Sequence, residues 1–317
     1  MINFFLEPLE YEFFRHSLLA ALMVGMSCGL IGTYVILRSM SYIGHGLSHA
    51  AFGGAAVGFT LNLNFYVGAG AIGLLAALLI NRITKSGRIK LDAAIGIVTT
   101  AIFALGVVII SQGPSPSQSF EAVLFGNILG VTRDDLLVVG LVTASTMTAI
   151  FVMYRPLLFS TFDNDVARVS GISTERTQLV FSLLLTLAVI ASMNIVGVTM
   201  IAATLITPAV TARLMTDSFS RMLIYSLIIG AITGTAGIYL SYIFDTASGA
   251  TIVLFGASLY SLTWLIQFIH ERYIPRRHLD RYRDPIQTCV PCDGAGQTTP
   301  GFEPGYRELL DVRMEGK

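Results

Sequence analysis

The sequence predicts an all-α fold, a polytopic membrane helix bundle with about eight or nine transmembrane helices. Three observations lead there. Charged residues make up 13% of the 317-residue chain and hydrophobic residues 54%, whereas a soluble domain carries roughly a quarter of its residues as Asp, Glu, Lys and Arg. The chain therefore lacks the charge needed to cover a surface facing water, and its mean hydropathy is +0.70. Apolar stretches of about twenty residues, the length that crosses a bilayer as a helix, recur along most of the chain. Lys and Arg gather between alternate stretches, as they do on the cytoplasmic side of membrane proteins. An ordinary cytosolic enzyme and a disordered scaffold are excluded. The formal net charge of zero offers no footprint for a nucleic acid. Cys28, Cys289 and Cys292 are too few for a disulfide scaffold.

The elements follow in order. Residues 1–13 read as a short extracytoplasmic N-terminus, and Glu7, Glu10 and Glu12 before the first apolar stretch argue against a cleavable signal peptide. Spans are expected at 14–37, 45–61, 64–83, 92–112, 134–155, 177–195, 197–215, 220–243 and 250–269, within a transmembrane domain of 14–270. Two junctions, at 61–64 and 195–197, are so short that eight spans is the other count. The stretch 118–130 is too short and Gly-interrupted to span and reads as a re-entrant or interfacial piece. With the N-terminus outside, eighteen of the twenty basic residues lie inside, leaving only Arg15 and Arg133 outside. That orientation puts the C-terminus in the cytoplasm. The polar tail 271–317 is too small for its own core, and its Arg272, Arg276, Arg277, Arg281 and Arg283 form a juxtamembrane cluster suited to anionic lipid. Cys289 and Cys292 make one CVPC pair, half of what a structural zinc site needs.

Polar residues inside apolar spans are expensive and mark function. In LRSMSYIGHGLSHAAFGGAAVGF (37–59), His45 and His49 are four apart and so share a helix face one turn apart. That spacing can place two imidazole nitrogens on one transition metal ion. Hydrogen bonding between helices is the other reading. The surrounding Gly and Ala allow close helix approach. Asp245, between two spans, is the best candidate for an added carboxylate, and a helix-capping role is equally open. Placement near the outer face makes it either part of one cage with the histidines or a separate station. In 194–214, Thr204, Thr207 and Thr211 form a hydroxyl stripe beside Pro208, which frees a backbone carbonyl. Such a stripe can line a path, or it can bond back to its own helix. In the loop 155–178, Asp163 is placed to cap a short helix that Gly171 ends, with Phe162, Ala167 and Arg168 between or beside them. A capped cytoplasmic helix suits docking of a soluble partner. No GxxxxGK[ST] loop occurs, so the chain has no such cradle for ATP, and HExxH and GxSxG are absent too.

Taken in order, LRSMSYIGHGLSHAAFGGAAVGF, FSTFDNDVARVSGI, VGVTMIAATLITPAVTARL and DTASGATIVL resemble the metal-importing ABC permease family that handles manganese, zinc and iron. The likeness covers roughly 14–269. It implies no enzyme and no permanent cofactor, but a homodimer moving a divalent metal ion, manganese or zinc, with iron as the alternative. Two such chains would sit on cytosolic ABC ATPase subunits and take metal from an extracytoplasmic metal-binding protein, in the plasma membrane of a prokaryote. The 160–173 loop would match the coupling helix. His49 matches the family's histidine. The family commonly has an acid where this chain has His45, and the change makes the site softer, which favours zinc, copper or iron over manganese. A secondary transporter or channel independent of ATP is the competing class. Such folds often carry inverted repeats, and none is evident here.

Overall fold

The computed structural model describes residues 7–61, 63–85, 89–112, 124–126 and 130–273, and among these the secondary structure is helical, without strands. A 3-10 turn at Glu7–Glu10 leads into α1 (Glu12–Leu37), α2 (Ile43–Thr60), α3 (Phe65–Lys85), α4 (Leu91–Gln112), α5 (Arg133–Val152), α6 (Tyr154–Phe162), α7 (Asn164–Val169), α8 (Thr174–Val196), α9 (Ile201–Met215), α10 (Phe219–Phe244) and α11 (Ser248–Tyr273). Met1–Ile269 forms one compact unit. The CVPC pair, the residues after Tyr273 and most of the 118–130 stretch lie outside the described residues.

The nine expected spans correspond to α1–α5 and α8–α11. Seven of these, all but α2 and α9, are long and apolar enough to cross a membrane. The 18-residue, glycine-rich α2 and the 15-residue α9 are shorter. The junctions that left the count open resolve into breaks. At the second, Gly197 takes φ +90°, and a Cβ there would sit 2.5 Å from the Gly126 nitrogen, so only glycine lets the chain turn from α8 into α9. The expected span 134–155 ends earlier, at Val152, and α6 starts at Tyr154. Pro156 explains the break: it has no N–H to continue the ladder and its ring crowds the carbonyl four residues back, yet it is tolerated in the first turn of a new helix.

α1 and α8 are the central helices, each with 72% of its apolar window buried, against 11% for α11. Small residues permit the close crossings. A Cβ on Gly106 of α4 would lie 2.5 Å from the Gly53 Cα of α2, and one on Gly58 would lie 2.8 Å from the Gly68 Cα of α3. Backbones in such contact gain dispersion in a setting where lipid provides no hydrophobic drive between helices. Polar ties close both ends of the bundle. At one end Tyr66 Oη donates to Asp135 Oδ1 at 2.5 Å, and Asn194 Nδ2 donates to both groups at 3.3 Å, joining α3, α5 and α8. Asp135 also completes a capping box with Thr132 at the start of α5. At the other end Arg38 joins α1, α6 and α8.

Candidate metal-translocation site

The site begins where α1 stops. Ser39 takes φ +55°, Ile43 N donates to Met40 O at 3.0 Å, and the chain re-enters as α2. On one side α2 offers glycines to α4: a Cβ on Gly46 would come 2.6 Å from Ile95 Cγ2 and 3.1 Å from Thr99, and one on Gly53 would meet Ile102 O at 2.8 Å. The pairing of 46 with 95–99 and of 53 with 102–106 shows that α2 and α4 run in the same direction at close range. Ser48 Oγ donates to His45 O at 2.8 Å and lies 3.1 Å from Val198 O, which sets α2 against the α8–α9 turn.

This arrangement turns His45 and His49 into one cavity. Their Nε2 atoms are 3.2 Å apart, with the rings 4.5 Å between centroids and nearly perpendicular. Phe103 caps His49 edge-on at 5.1 Å and leans on Phe52 at 5.9 Å. His49 Nδ1 is buried without a hydrogen-bond partner. The cavity, about 520 Å³, is lined by the pair together with Tyr42, Gly46, Asp92, Ile95, Gly96, Thr99, Thr100 and Phe103. Two nitrogens 3.2 Å apart, each bonding at about 2.1 Å, would subtend about 100° at a shared metal ion, between the tetrahedral and octahedral angles. Two donors leave a transition metal under-coordinated, and among the described residues no third His, Cys, Asp or Glu joins them within reach of one ion.

The other sequence candidates fall elsewhere. Asp245 ends α10 in the left-handed region at φ 50°, ψ 51°, and it lines a different cavity, about 390 Å³, with Phe13, Phe14, Ser17, Tyr242, Thr246 and Ser248 among others. The structure does not bring it to the histidine pair. Thr204 Oγ1 donates to Met200 O at 3.1 Å and Thr211 Oγ1 to Thr207 O at 2.8 Å. Both hydroxyls thus bond to their own helix, and none of the three threonines lines the histidine cavity. Thr207 packs its methyl 3.2 Å from where a Cβ on Gly256 would lie.

In the loop after α6, Asp163 Oδ1 accepts from Asp165 N at 2.8 Å and from Val166 N at 3.1 Å, capping α7. Gly171 ends the turn at φ +77°. Ala167 is fully buried, while Phe162, Val166 and Val169 are exposed, Val169 by 91%. The six-residue α7 is thus anchored by one small residue and turns Val166 and Val169 outward, next to Phe162 at the end of α6.

Arg38 escaped the sequence reading, since an arginine at the end of a span looks like an orientation anchor. Its Nε donates to Thr161 Oγ1 at 3.0 Å, Nη2 to Ser160 Oγ at 3.0 Å and Nη1 to Gln178 Oε1 at 2.5 Å. The guanidinium also stacks 4.4 Å over Phe181. Burial lowers its pKa to about 10, so it stays charged at neutral pH. One side chain thus links the segment leading into α7 to the turn that carries α2.

The sequence profile of the ABC 3 transport family matches residues 10–267. The chain is 40% identical over 261 residues to the "Manganese transport system membrane protein MntC" of Halalkalibacterium halodurans, spanning 82% of this chain and 89% of that one. It is 33% identical over 289 residues to the "Chelated iron transport system membrane protein YfeC" of Yersinia pestis, covering 90% and 96%. Among solved structures it is similar to "PsaBC from Streptococcus pneumoniae in complex with Fab", with a TM-score of 0.75 and 37% identity over 83% of this chain and 95% of that one. Profile, relatives and architecture agree over the whole helical region: the chain is a multi-spanning membrane protein of the ABC 3 transport family.

Proposed function

We propose that this chain is the membrane-spanning permease subunit of an ABC importer that carries manganese(II) into the cytoplasm, with ATP hydrolysed by a separate subunit. The observation that carries the reading is the His45–His49 pair, two nitrogens 3.2 Å apart in an otherwise apolar helix, facing a cavity. A second copy of the chain placed against that cavity supplies two more imidazoles, which brings the donor count to the four or more a transition metal takes. An extracytoplasmic metal-binding protein delivers the ion to the outer face, and the pair holds it loosely enough for release. The clustering of basic residues supports an outside N-terminus and a cytoplasmic α6–α7 segment. There Phe162, Val166 and Val169 meet the ATPase, and closure of the ATPase pulls through α6 and Arg38 on the turn before α2. In this reading neither Asp245 nor the threonine stripe of α9 is a ligand of the central ion.

Iron(II) is the second reading, favoured by one observation: among the described residues no carboxylate joins the two nitrogens on one ion, and imidazole suits iron better than manganese. Manganese is preferred on the name of the 40%-identical relative. Growth of cells dependent on this system, limited in turn for manganese, iron and zinc, separates the readings. Rescue under manganese limitation, abolished by His49→Ala, is the expected result. Rescue under iron limitation alone replaces the cargo, and undiminished rescue by His49→Ala removes the pair from the path.

A further inference from the structure

The cavity of the histidine pair contains one carboxylate, and neither the motif resemblance nor the relatives' names account for it. Asp92 lies in the first turn of α4, a helix otherwise so apolar that its window has the highest mean hydropathy of the seven candidate spans. An acid in the first turn of a helix is favoured by the helix dipole; what sets Asp92 apart is that it lines the cavity of the histidine pair. Four and eight residues on, Gly96 and Thr100 line the same cavity, and a Cβ on Gly96 would meet nothing within 4 Å. The stripe Asp92–Gly96–Thr100 is therefore an open face, unlike the neighbouring face of Ala94, Ile95 and Val98, which is buried. Asp92 is exposed, and among the described residues no cation pairs with it.

The parallel register of α2 and α4 gives its height. Gly46 faces Ile95 and Thr99, and Gly53 faces Ile102 to Gly106. Asp92 is thus level with the start of α2, about four residues or about 6 Å below His45, as His45 is about 6 Å below His49. That offset agrees with the absence of a three-ligand cluster among the described residues: the carboxylate cannot share an ion with both rings in this state. The three groups form a ladder down one cavity wall, imidazole, imidazole, carboxylate. Its lower end points to the side of the basic 82–90 segment, which the proposed orientation makes cytoplasmic.

We propose that Asp92 is a second metal station, which takes the divalent cation from His45 and passes it to the cytoplasm. A hard, charged oxygen donor one step below a nitrogen pair lowers the barrier for leaving that pair, and conduction needs several weak sites in place of a single tight one. Manganese in particular prefers carboxylate oxygen, so the station favours its onward movement. The proposal rests on the histidine pair being the central site.

The test uses cells expressing the complete transport system, with radioactive manganese(II) uptake as one readout. The other is the nitrogen coupling of manganese(II) bound to the extracted complex, seen by electron paramagnetic resonance. Asp92→Asn is expected to lower the maximal uptake rate by at least about tenfold, the lower end of the effect of groups that tune a metal site, while the nitrogen-coupled signal persists. Asp92→Glu is expected to restore most of the rate. If Asp92→Asn does not reach the membrane, Asp92→Ser, which keeps an oxygen at the helix start, takes the same test. Uptake by Asp92→Asn equal to the unaltered chain overturns the station. So does loss of the nitrogen-coupled signal in that variant, which would make Asp92 part of one site or merely structural, and so does an Asp92→Glu variant no better than Asp92→Asn. Normal uptake by His49→Ala is a different result. It brings down the underlying reading whatever Asp92→Asn does.

Discussion

The crossing of α2 and α4 fixes the width of the histidine cavity, and one methyl group tests it. Gly106→Ala would place a Cβ 2.5 Å from the Gly53 Cα and 2.7 Å from its carbonyl oxygen, both backbone atoms, where 3.4–4 Å is ordinary contact. No rotamer relieves the clash, so the two helices must part by roughly 1 Å. Overpacking of this kind typically costs about 1–3 kcal/mol, from which the helix preference of Ala over Gly, about 0.5–1 kcal/mol, is to be subtracted. A net loss of up to about 2.5 kcal/mol, centred near about 1 kcal/mol, is expected. Phe103, which caps His49 at 5.1 Å, is one turn from Gly106 and moves with it, so metal uptake should fall along with stability. Gly70→Ala on α3 is the control, since a Cβ there meets nothing within 4 Å. It should be neutral or slightly stabilising. Thermal unfolding in detergent, followed by loss of monodisperse protein, measures both. Gly106→Ala as stable as Gly70→Ala would show that the backbones do not touch here, and the argument for a cavity set by glycine contacts would fail.

Two further outcomes concern the cytoplasmic end. Arg38→Met keeps an apolar stem against Phe181 but removes the donor to Ser160, Thr161 and Gln178, where each hydrogen bond to a charged group contributes roughly 1.5–3 kcal/mol. Expected is a complex that still binds manganese(II) and hydrolyses ATP but imports little; import unchanged would show that motion reaches α2 by another route. Asp163→Ala removes the acceptor for two backbone N–H groups at the start of α7, which should destabilise that short helix by about 1 kcal/mol and weaken co-purification with the ATPase. Equal recovery of the ATPase would show that the α7 cap does not shape the docking face.

The bundle was legible because the bilayer imposes a simple demand: long apolar runs with backbone groups paired internally. The α7 cap was legible for the same kind of reason, since Asp163 and Gly171 act on their own local backbone. His45 and His49 were legible as a pair because four residues along a helix fixes which side chains meet. The Thr204 and Thr211 hydroxyls could not be settled in advance, because a threonine in a helix chooses between its own backbone and a neighbour, and the neighbour depends on packing. Pro156 stands one residue beyond the expected end of the 134–155 span, and the break it imposes at Met153 falls inside that span's last turn, because its ring acts on the backbone four residues back.

Composition and short-range spacing alone determined that this is a helical membrane protein with a histidine pair on one helix face, because those features depend on solvent and on local helix geometry. Tertiary structure decided what stands opposite the pair. Only the glycine-mediated contact of α2 with α4 brings Asp92, 43 residues beyond His49, to the same cavity, and only the fold carries Arg38 to Ser160 and Gln178 while placing Asp245 in another cavity. Such pairings are set by helix register and backbone proximity, which no periodicity within a single segment encodes.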